Sequence, residues 1–415
     1  MKTFRSILFW MHLAAGAAAG VVVLIMSVTG VALTYEKQMI EWADRTAWAA
    51  SASGPANSSE DLRRDLAEAP SGREGGPSPA DAVPLSPETL LARVTAARPG
   101  TAPLSVTMRA DRRAPATVTL ADNTPLLVDP YNGTVIGPPP QALRGFFRTM
   151  TSWHRYLALS GESRATGKGI TGAANLAFLF IVISGLYLWL PRLWTSMQFK
   201  NVLWFRTGLA PKARDFNWHN VIGVWTAIPL AIVVAGAVPI SYPWASNLVY
   251  RLAGDTPPPP AAAAPARSGE RATVTYVTGG VDAAWASSQA QIPNWRTMTT
   301  RLATSAEAPV TIAVDEGYAG QPQLRTTFTF DRSTGSLEKA ENFKSLSAGR
   351  QLRSWLRFAH TGEIYGLTGQ TIAGLVTAGS VVLVYTGIAL ALRRLAVWIG
   401  RRRDRGHEFE RARAA

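Results

Sequence analysis

The sequence predicts an integral membrane α-helical protein with four transmembrane helices in two pseudo-symmetric halves, each half carrying a small α+β domain outside the membrane. Three observations support this prediction. Four long stretches of the chain lack any formally charged residue, two long loops separated by these stretches read as a helix followed by alternating strands, and the two halves repeat the same motifs.

The four uncharged stretches are each long enough to cross a bilayer, since a spanning helix needs about 20 apolar residues. They comprise residues 6–35, 170–190, 220–250 and 371–392. The first follows Lys2 and Arg5 and could be mistaken for a signal peptide. It is about twice the length of a signal-peptide core and no small-residue cleavage site follows it, so we interpret it as a retained anchor.

The distribution of basic residues predicts the orientation. Basic residues cluster before the first span, between the second and third spans, and after the fourth, and such clusters mark the cytoplasmic side. Both termini are therefore expected in the cytoplasm and both long loops outside. This asymmetry largely explains the formal net charge of +14. A basic tail directly after a spanning helix favours anionic lipid as its partner rather than nucleic acid.

The halves of the chain repeat at a separation of roughly two hundred residues. The frame His-x-x-x-Gly occurs at His12 and again at His219. The turn 129–133 matches 331–335, and the dipeptide Ser184-Gly185 matches Thr386-Gly387, late in spans two and four. An axis along the membrane normal would relate two such halves.

Four of the five histidines form two pairs in this repeat. The first pair, His12 and His219, begins spans one and three, and the second pair, His154 and His360, precedes spans two and four. Ionisable side chains at membrane depth are costly and usually functional, and neutral imidazole is a common haem ligand. The pattern predicts one haem per pair, with Gly16 and Gly223 leaving room for a flat macrocycle. The alternative is four interfacial histidines bonded to nearby polar groups.

The second pair aligns less well than the first. Aligning Trp153 with Trp355 places His154 opposite Leu356, so the two histidines are offset by about one helical turn. The chain has no cysteine, which excludes covalent c-type haem and thiolate-ligated clusters. Any haem is therefore expected to be haem b, two per chain.

The two external loops each predict a helix followed by strands, joined to the preceding span by a low-complexity tether. In the first half, the predicted organisation is span one at 1–35, a first α+β domain at 36–145 with a tether at 51–84, and an interfacial helix and span two at 146–192. A cytoplasmic loop at 193–217 follows. In the second half, it is span three at 218–250, a second α+β domain at 251–350 with a tether at 257–267, an interfacial segment and span four at 351–394, and a basic tail at 395–415.

These motifs resemble the PepSY-associated transmembrane family of bacterial inner-membrane proteins. The matching segments are the His-x-x-x-Gly start of span one, Ser-Gly-Leu-Tyr-Leu-Trp-Leu-Pro-Arg at the end of span two, Trp-His-Asn-x-x-Gly-x-Trp at the start of span three, His-Thr-Gly-Glu before span four, and the Asp-Pro-Tyr-Asn-Gly turn of the first loop. The family includes haem-carrying ferric-siderophore reductases. The resemblance implies PepSY-like external domains, haem ligation at the two histidine pairs and electron delivery to ferric iron outside.

Three arginines flank the second pair: Arg155, Arg353 and Arg357. They could bind haem propionates or an anionic ferric siderophore, or could equally be interfacial side chains that extend towards water. No Gly-rich dinucleotide fingerprint is visible, so the electron donor is expected to be a membrane quinol or a separate cytoplasmic reductase. Two alternatives to a reductase remain: a non-enzymatic PepSY module that binds a peptide or peptidase, and a siderophore transporter.

Overall fold

The computed structural model describes residues 2–52, 82–190, 195, 200, 202–259, 276–318 and 320–414. Most of both predicted tethers, at 51–84 and 257–267, lies outside these residues. The chain divides into two compact units. We call Met1–Thr34, Phe147–Pro257 and Ala348–Ala415 the bundle unit, and Tyr35–Phe146 and Pro258–Ser347 the sheet unit.

The helices, in chain order, are α1 (Lys2–Leu33), α2 (Glu36–Ala52), α3 (Pro87–Ala97), α4 (Gln141–Tyr156), α5 (Arg164–Trp189), α6 (Pro211–Ser241), α7 (Pro243–Leu252), α8 (Val281–Gln291), α9 (Ala348–His360) and α10 (Gly366–Ala414). The strands are β1 (Pro103–Arg109), β2 (Ala116–Leu120), β3 (Pro125–Val128), β4 (Val135–Gly137), β5 (Thr297–Arg301), β6 (Val310–Asp315), β7 (Arg325–Phe330) and β8 (Leu337–Asn342).

Four helical segments of the described chain are long and apolar enough to cross a membrane: Thr3–Ser51, Gly161–Trp189, Pro211–Ser241 and Glu363–Arg401. They contain α1, α5, α6 and most of α10, which confirms the predicted integral membrane helical class. In the bundle unit α1 packs against α5 and α10, and α6 packs against the same two helices. The four therefore form a ring in which α1 lies diagonally opposite α6.

The bundle is apolar on its outside and polar in places inside, as expected when lipid replaces water as the surroundings. Large apolar side chains on all four helices are more than half exposed: Val21, Ile183, Ile228 and Leu375. Polar side chains in the interior bond between helices instead. Ser380 Oγ donates to Ser27 Oγ at 2.8 Å, and Asn175 Nδ2 donates to the carbonyl of Val234 at 3.2 Å.

The third predicted span, 220–250, is not one helix. Helix α6 ends at Ser241, Tyr242 adopts an extended conformation with φ −123° and ψ 122°, and α7 begins at Pro243. Proline disfavours the helical conformation in the residue before it and is well tolerated at the first position of a helix. Hydropathy alone missed this break because both helices are apolar.

The sheet unit contains one eight-stranded antiparallel sheet in the order β4-β3-β2-β1-β5-β6-β7-β8. The sequence analysis placed an α+β domain in each loop, and each loop does supply four strands and a helix. The two sets are joined where β1 pairs with β5 over the register Ser105–Arg301 to Arg109–Thr297. The strands of both loops thus share a single sheet and a single hydrophobic core.

Helices α3 and α8 pack on this sheet and bond to each other at their N-termini. The backbone N–H of Glu88 donates to Asp282 Oδ1 at 2.8 Å, and the N–H of Asp282 donates to Glu88 Oε1 at 3.0 Å. Each carboxylate therefore satisfies a free N–H in the first turn of the other repeat's helix. Ser86 caps α3, and its hydroxyl accepts from the backbone N–H of Thr89.

The repeated turns have the same backbone geometry in both loops. The N–H of Gly133 donates to the carbonyl of Asp129 at 2.9 Å, and the N–H of Gly335 donates to that of Asp331 at 2.9 Å. Both glycines adopt a left-handed conformation, with φ of 72° and 69°. The match between 129–133 and 331–335 in the sequence therefore corresponds to a repeated structure.

Two elements were not predicted. Helix α2 lies in the amphipathic segment directly after the first span, and β8 pairs with β7. Five of the six residues of β8 are exposed, so it lacks the alternation of buried and exposed positions from which strands are predicted.

Candidate functional site

All four paired histidines lie in the bundle unit, on four different helices. His12 is on α1, His219 on α6, His154 near the end of α4, and His360 is the last residue of α9. Each ring is partly buried. The structure thus brings the predicted residues into the helical bundle.

The rings of the second pair lie close together and are tilted relative to each other. The ring centres of His154 and His360 are 6.1 Å apart, with an angle of 43° between the ring planes. His154 Nδ1 lies 2.9 Å from the carbonyl oxygen of Met26, and His360 Nδ1 lies 2.8 Å from that of Val233. Because a carbonyl oxygen only accepts hydrogen bonds, Nδ1 carries the proton in both rings.

The first pair makes equivalent contacts with hydroxyl groups. His12 Nδ1 lies 2.9 Å from Ser184 Oγ, and His219 Nδ1 lies 2.9 Å from Thr386 Oγ1. Ser184 is on α5 and Thr386 is on α10. These bonds therefore link α1 to α5 and α6 to α10 within the four-helix bundle.

In all four histidines, Nδ1 is therefore hydrogen-bonded to the protein. In a neutral imidazole with its proton on Nδ1, the lone pair is on Nε2. This is the arrangement of metal-ligating histidines, which donate their other N–H to a carbonyl or hydroxyl that orients the ring.

The burial of the second pair favours the neutral form. Helices α4 and α9, which carry these residues, lie outside the four candidate spans. Burial lowers the pKa of His154 to about 4, with a smaller contribution from the nearby His360. Burial also lowers the pKa of His360. Both imidazoles are thus neutral at neutral pH, the form that binds a metal ion.

The second pair is as symmetric as the first, contrary to the sequence alignment. Met26 and Val233, whose carbonyls accept from the two histidines, occupy corresponding positions on α1 and α6, as His12 and His219 do. The alignment of Trp153 with Trp355 is therefore not the structural register. The first half has extra residues after α4, where Leu157 and Ala158 adopt φ of 52° and 59°.

A glycine lies beside each histidine. A Cβ atom at Gly185 would lie 3.2 Å from His12 Cε1, and one at Gly387 would lie 3.4 Å from His219 Cε1. A Cβ at Gly30 would lie 3.4 Å from His154 Cε1, and one at Gly236 would lie 3.2 Å from His360 Cβ. The missing side chains let the imidazoles approach the helix backbones closely.

Gly16 and Gly223 each lie one helical turn beyond a histidine of the first pair. A Cβ at Gly16 would meet no atom within 4 Å, and one at Gly223 would contact Leu383 Cδ2 at 3.7 Å. The room for a macrocycle beside these glycines stays a prediction.

The spacing of the second pair would allow both imidazoles to bind one metal ion. Two metal–nitrogen bonds of about 2 Å, added to the distance from each ring centre to its nitrogen, place the ring centres about 6 Å apart. The 6.1 Å observed agrees with this. Two imidazoles are too few for a bare zinc ion, which takes four protein or water ligands, but two neutral histidine nitrogens are a ligand set that a haem iron could use. Within the described chain no group of three or more His, Asp or Glu residues is spaced to hold a metal ion.

The three flanking arginines differ in their surroundings. Arg353 is half-buried, and its Nε donates to Ser246 Oγ on α7 at 3.0 Å. Arg155 and Arg357 are exposed, and their guanidinium groups lie 5.3 and 5.6 Å from the ring centres of Tyr156 and Phe358. Two of the three are thus accessible to an anion.

Sequence reasoning did not assign roles to Ser184 and Thr386, nor to Thr29, whose Oγ1 lies 3.1 Å from His154 Nδ1. The repeated Ser-Gly and Thr-Gly dipeptides were noticed only as a repeat. Their position late in spans two and four, at the same end of the bundle as His12 and His219, was the pattern that could have revealed the contacts.

A family model described as the PepSY-associated TM region matches residues 9–394 of the chain. No curated protein matches the chain.

Proposed function

This chain belongs to the PepSY-associated TM region family, and we propose that it is a haem-b oxidoreductase of the bacterial inner membrane that passes electrons to ferric iron in a periplasmic siderophore. The observation that carries the proposal is the second histidine pair, whose rings are 6.1 Å apart with both Nδ1 atoms bonded to backbone carbonyls. The first pair, with both Nδ1 atoms bonded to hydroxyls, supports a second site of the same kind.

Each pair would hold one haem b, whose iron carries one electron at a time between Fe(III) and Fe(II). The protein's part is to present two neutral nitrogens per site in a fixed orientation. Since the chain contains no cysteine, these nitrogens and the surrounding packing would hold the group without a covalent bond.

The proposed direction is outward from the cytoplasm. His12 follows Lys2 and Arg5, and His219 follows the basic residues between spans two and three, so the first pair belongs on the cytoplasmic side by the positive-inside rule. The second pair then belongs on the periplasmic side. A membrane quinol or a separate cytoplasmic reductase would supply the electrons.

The acceptor proposed is a ferric siderophore. One electron reduces its Fe(III) to Fe(II), which is bound more weakly by a chelate of hard oxygen ligands. Many such chelates are anionic, and the exposed guanidinium groups of Arg155 and Arg357 beside the second pair would attract them. Arg353, held by Ser246, would stay in place near the same surface.

Rapid mixing of dithionite-reduced protein with a ferric siderophore tests this function. We expect the haem Soret band to return to its oxidised position quickly in wild type and slowly in His154→Ala and His360→Ala. Arg357→Gln is expected to require more chelate for the same rate, whereas Lys339→Gln, the same charge change in the sheet unit, is not. Wild-type reoxidation no faster than that of His360→Ala would contradict the reductase.

The alternatives of a peptide-binding module or a siderophore transporter do not require haem. Purified wild-type protein without a haem absorption spectrum would favour them over the reductase.

A further inference from the structure

The two hydroxyl–glycine dipeptides, Ser184-Gly185 on α5 and Thr386-Gly387 on α10, face the first histidine pair in the same way. We infer that Ser184 and Thr386 are positioning residues that hold His12 and His219 with Nε2 directed to the iron and that tune its reduction potential. The inference rests on the proposed haem ligation and goes beyond it, because it assigns the residues that control one of the two sites.

The direction of each hydrogen bond follows from where the hydroxyl proton goes. Thr386 Oγ1 lies 2.8 Å from the carbonyl of Val382, and Ser184 Oγ lies 3.2 Å from that of Ile181. A hydroxyl has one proton, and each of these hydroxyls gives it to a carbonyl of its own helix. The bond to the histidine must then run from Nδ1–H to the hydroxyl oxygen, which leaves Nε2 unprotonated.

The glycines complete the contact. With a Cβ at Gly185 or Gly387 only 3.2 or 3.4 Å from the Cε1 atom of the histidine ring, that ring could not lie as close to the helix without displacement. The hydroxyl thus fixes one edge of the imidazole while the neighbouring glycine gives it space.

The second pair is held differently, and this provides an internal comparison. His154 Nδ1 contacts both the carbonyl of Met26 and Thr29 Oγ1, whereas His360 Nδ1 contacts the carbonyl of Val233. No side-chain substitution removes a backbone carbonyl. His12 and His219 also hydrogen-bond the backbone at Ile181 and Leu383. Loss of the hydroxyl at Ser184 or Thr386 therefore removes the side-chain partner of the ring and leaves the backbone contact.

A hydrogen bond donated by Nδ1–H strengthens electron donation from Nε2, and such donation favours Fe(III) over Fe(II). Removing the acceptor should therefore raise the reduction potential of that site. It should also weaken retention of the group by about tenfold or more, the usual effect of losing a partner of a metal-ligating histidine.

The test is a spectroscopic redox titration of the full-length protein, with haem retention measured after extended washing. Ser184→Ala and Thr386→Val should raise the potential of one haem and weaken its retention, while the other haem stays unchanged and reports correct folding. Ser184→Thr keeps the hydroxyl and should behave as wild type. Thr226→Val, which removes a hydroxyl bonded to the carbonyl of Ile222 on its own helix, should leave both haems unchanged.

The outcomes separate this inference from the proposed function. A wild type with two haems in which Ser184→Ala and Thr386→Val change neither potential nor retention would overturn the positioning role alone. A wild type without haem would overturn the proposed function, and the inference with it.

Discussion

At the residue scale, the ligand geometry depends on the partner of each histidine Nδ1. The four histidines could be identified from the sequence because they recur in matched frames. Their partners could not all be identified, because backbone carbonyls such as those of Met26 and Val233 have no sequence pattern. The hydroxyl partners Ser184 and Thr386 were visible as a repeat, but hydroxyls in membrane helices commonly bond only to their own backbone.

A second residue-scale feature is the Asp331 carboxylate, which closes the turn between β7 and β8. It accepts bonds at 2.7–2.9 Å from the backbone N–H and hydroxyl groups of Ser333 and Thr334. These hydrogen bonds lower the pKa of Asp331 to about 2 from 3.8. A carboxylate whose folded pKa lies below its unfolded value stabilises the fold above the unfolded pKa and loses that effect as the pH falls through the folded pKa.

We therefore expect the β7–β8 hairpin to lose protection between pH 3.8 and about 2 in wild type. Asp331→Ala should have lower protection at neutral pH and a smaller further loss across that interval. Amide hydrogen exchange in β7 and β8 measures both. The same pH dependence in wild type and variant would show that another group is responsible.

At the element scale, a strand with alternating burial such as β2 and a helix with a side-chain cap such as α3 were predictable. The break between α6 and α7 was not, because a single proline in an apolar stretch does not by itself distinguish a kink from an end. Indeed α6 continues through Pro229 and Pro239 and stops only before Pro243.

The contact between α6 and α9 depends on Gly236. A Cβ there would lie 2.5 Å from the backbone carbonyl oxygen of Leu356, which cannot move without α9. Gly236→Ala should therefore displace His360 from Val233 and selectively reduce the haem at the second pair. Gly145→Ala in α4 is the matched control, since a Cβ there meets nothing within 4 Å. The haem absorption spectra of both variants test this prediction. Equal spectra for Gly236→Ala and Gly145→Ala would contradict the close contact between α6 and α9 at Gly236.

Helices α6 and α10 are also joined by a buried carboxylate. Asp215 is 1% exposed, and its two oxygens lie 2.9 Å from Arg214 and 2.7 Å from Arg393. Asp215→Asn should lower the free energy of unfolding, but by less than the loss of a fully buried ion pair would, because both guanidinium groups are partly exposed.

Thermal unfolding in detergent measures this difference. Glu341→Gln, which breaks the exposed pair of Glu341 with Lys339, is the control and should cost at most about 1 kcal/mol. Equal effects of the two substitutions would mean that Asp215 does not hold α6 and α10 together.

At the scale of the whole molecule, the internal repeat could be predicted and its assembly could not. The repeat predicted that both halves would contain equivalent spans and equivalent turns, and that each half would contribute one histidine to each pair. It did not predict that β1 would pair with β5, because the strand sequences do not distinguish an edge strand from a central one. Nor did the alignment find the symmetry of the second pair, since the extra residues after α4 shift the register.

The central claim is that each histidine pair holds one haem. The most direct measurement is a pyridine haemochrome assay of haem per chain in wild type and in the four variants His12→Ala, His219→Ala, His154→Ala and His360→Ala. The account predicts two non-covalent haems in wild type, the same one lost from the first two variants and the other lost from the last two. One haem or none in wild type, or loss of the same haem from His12→Ala and His360→Ala, would contradict it.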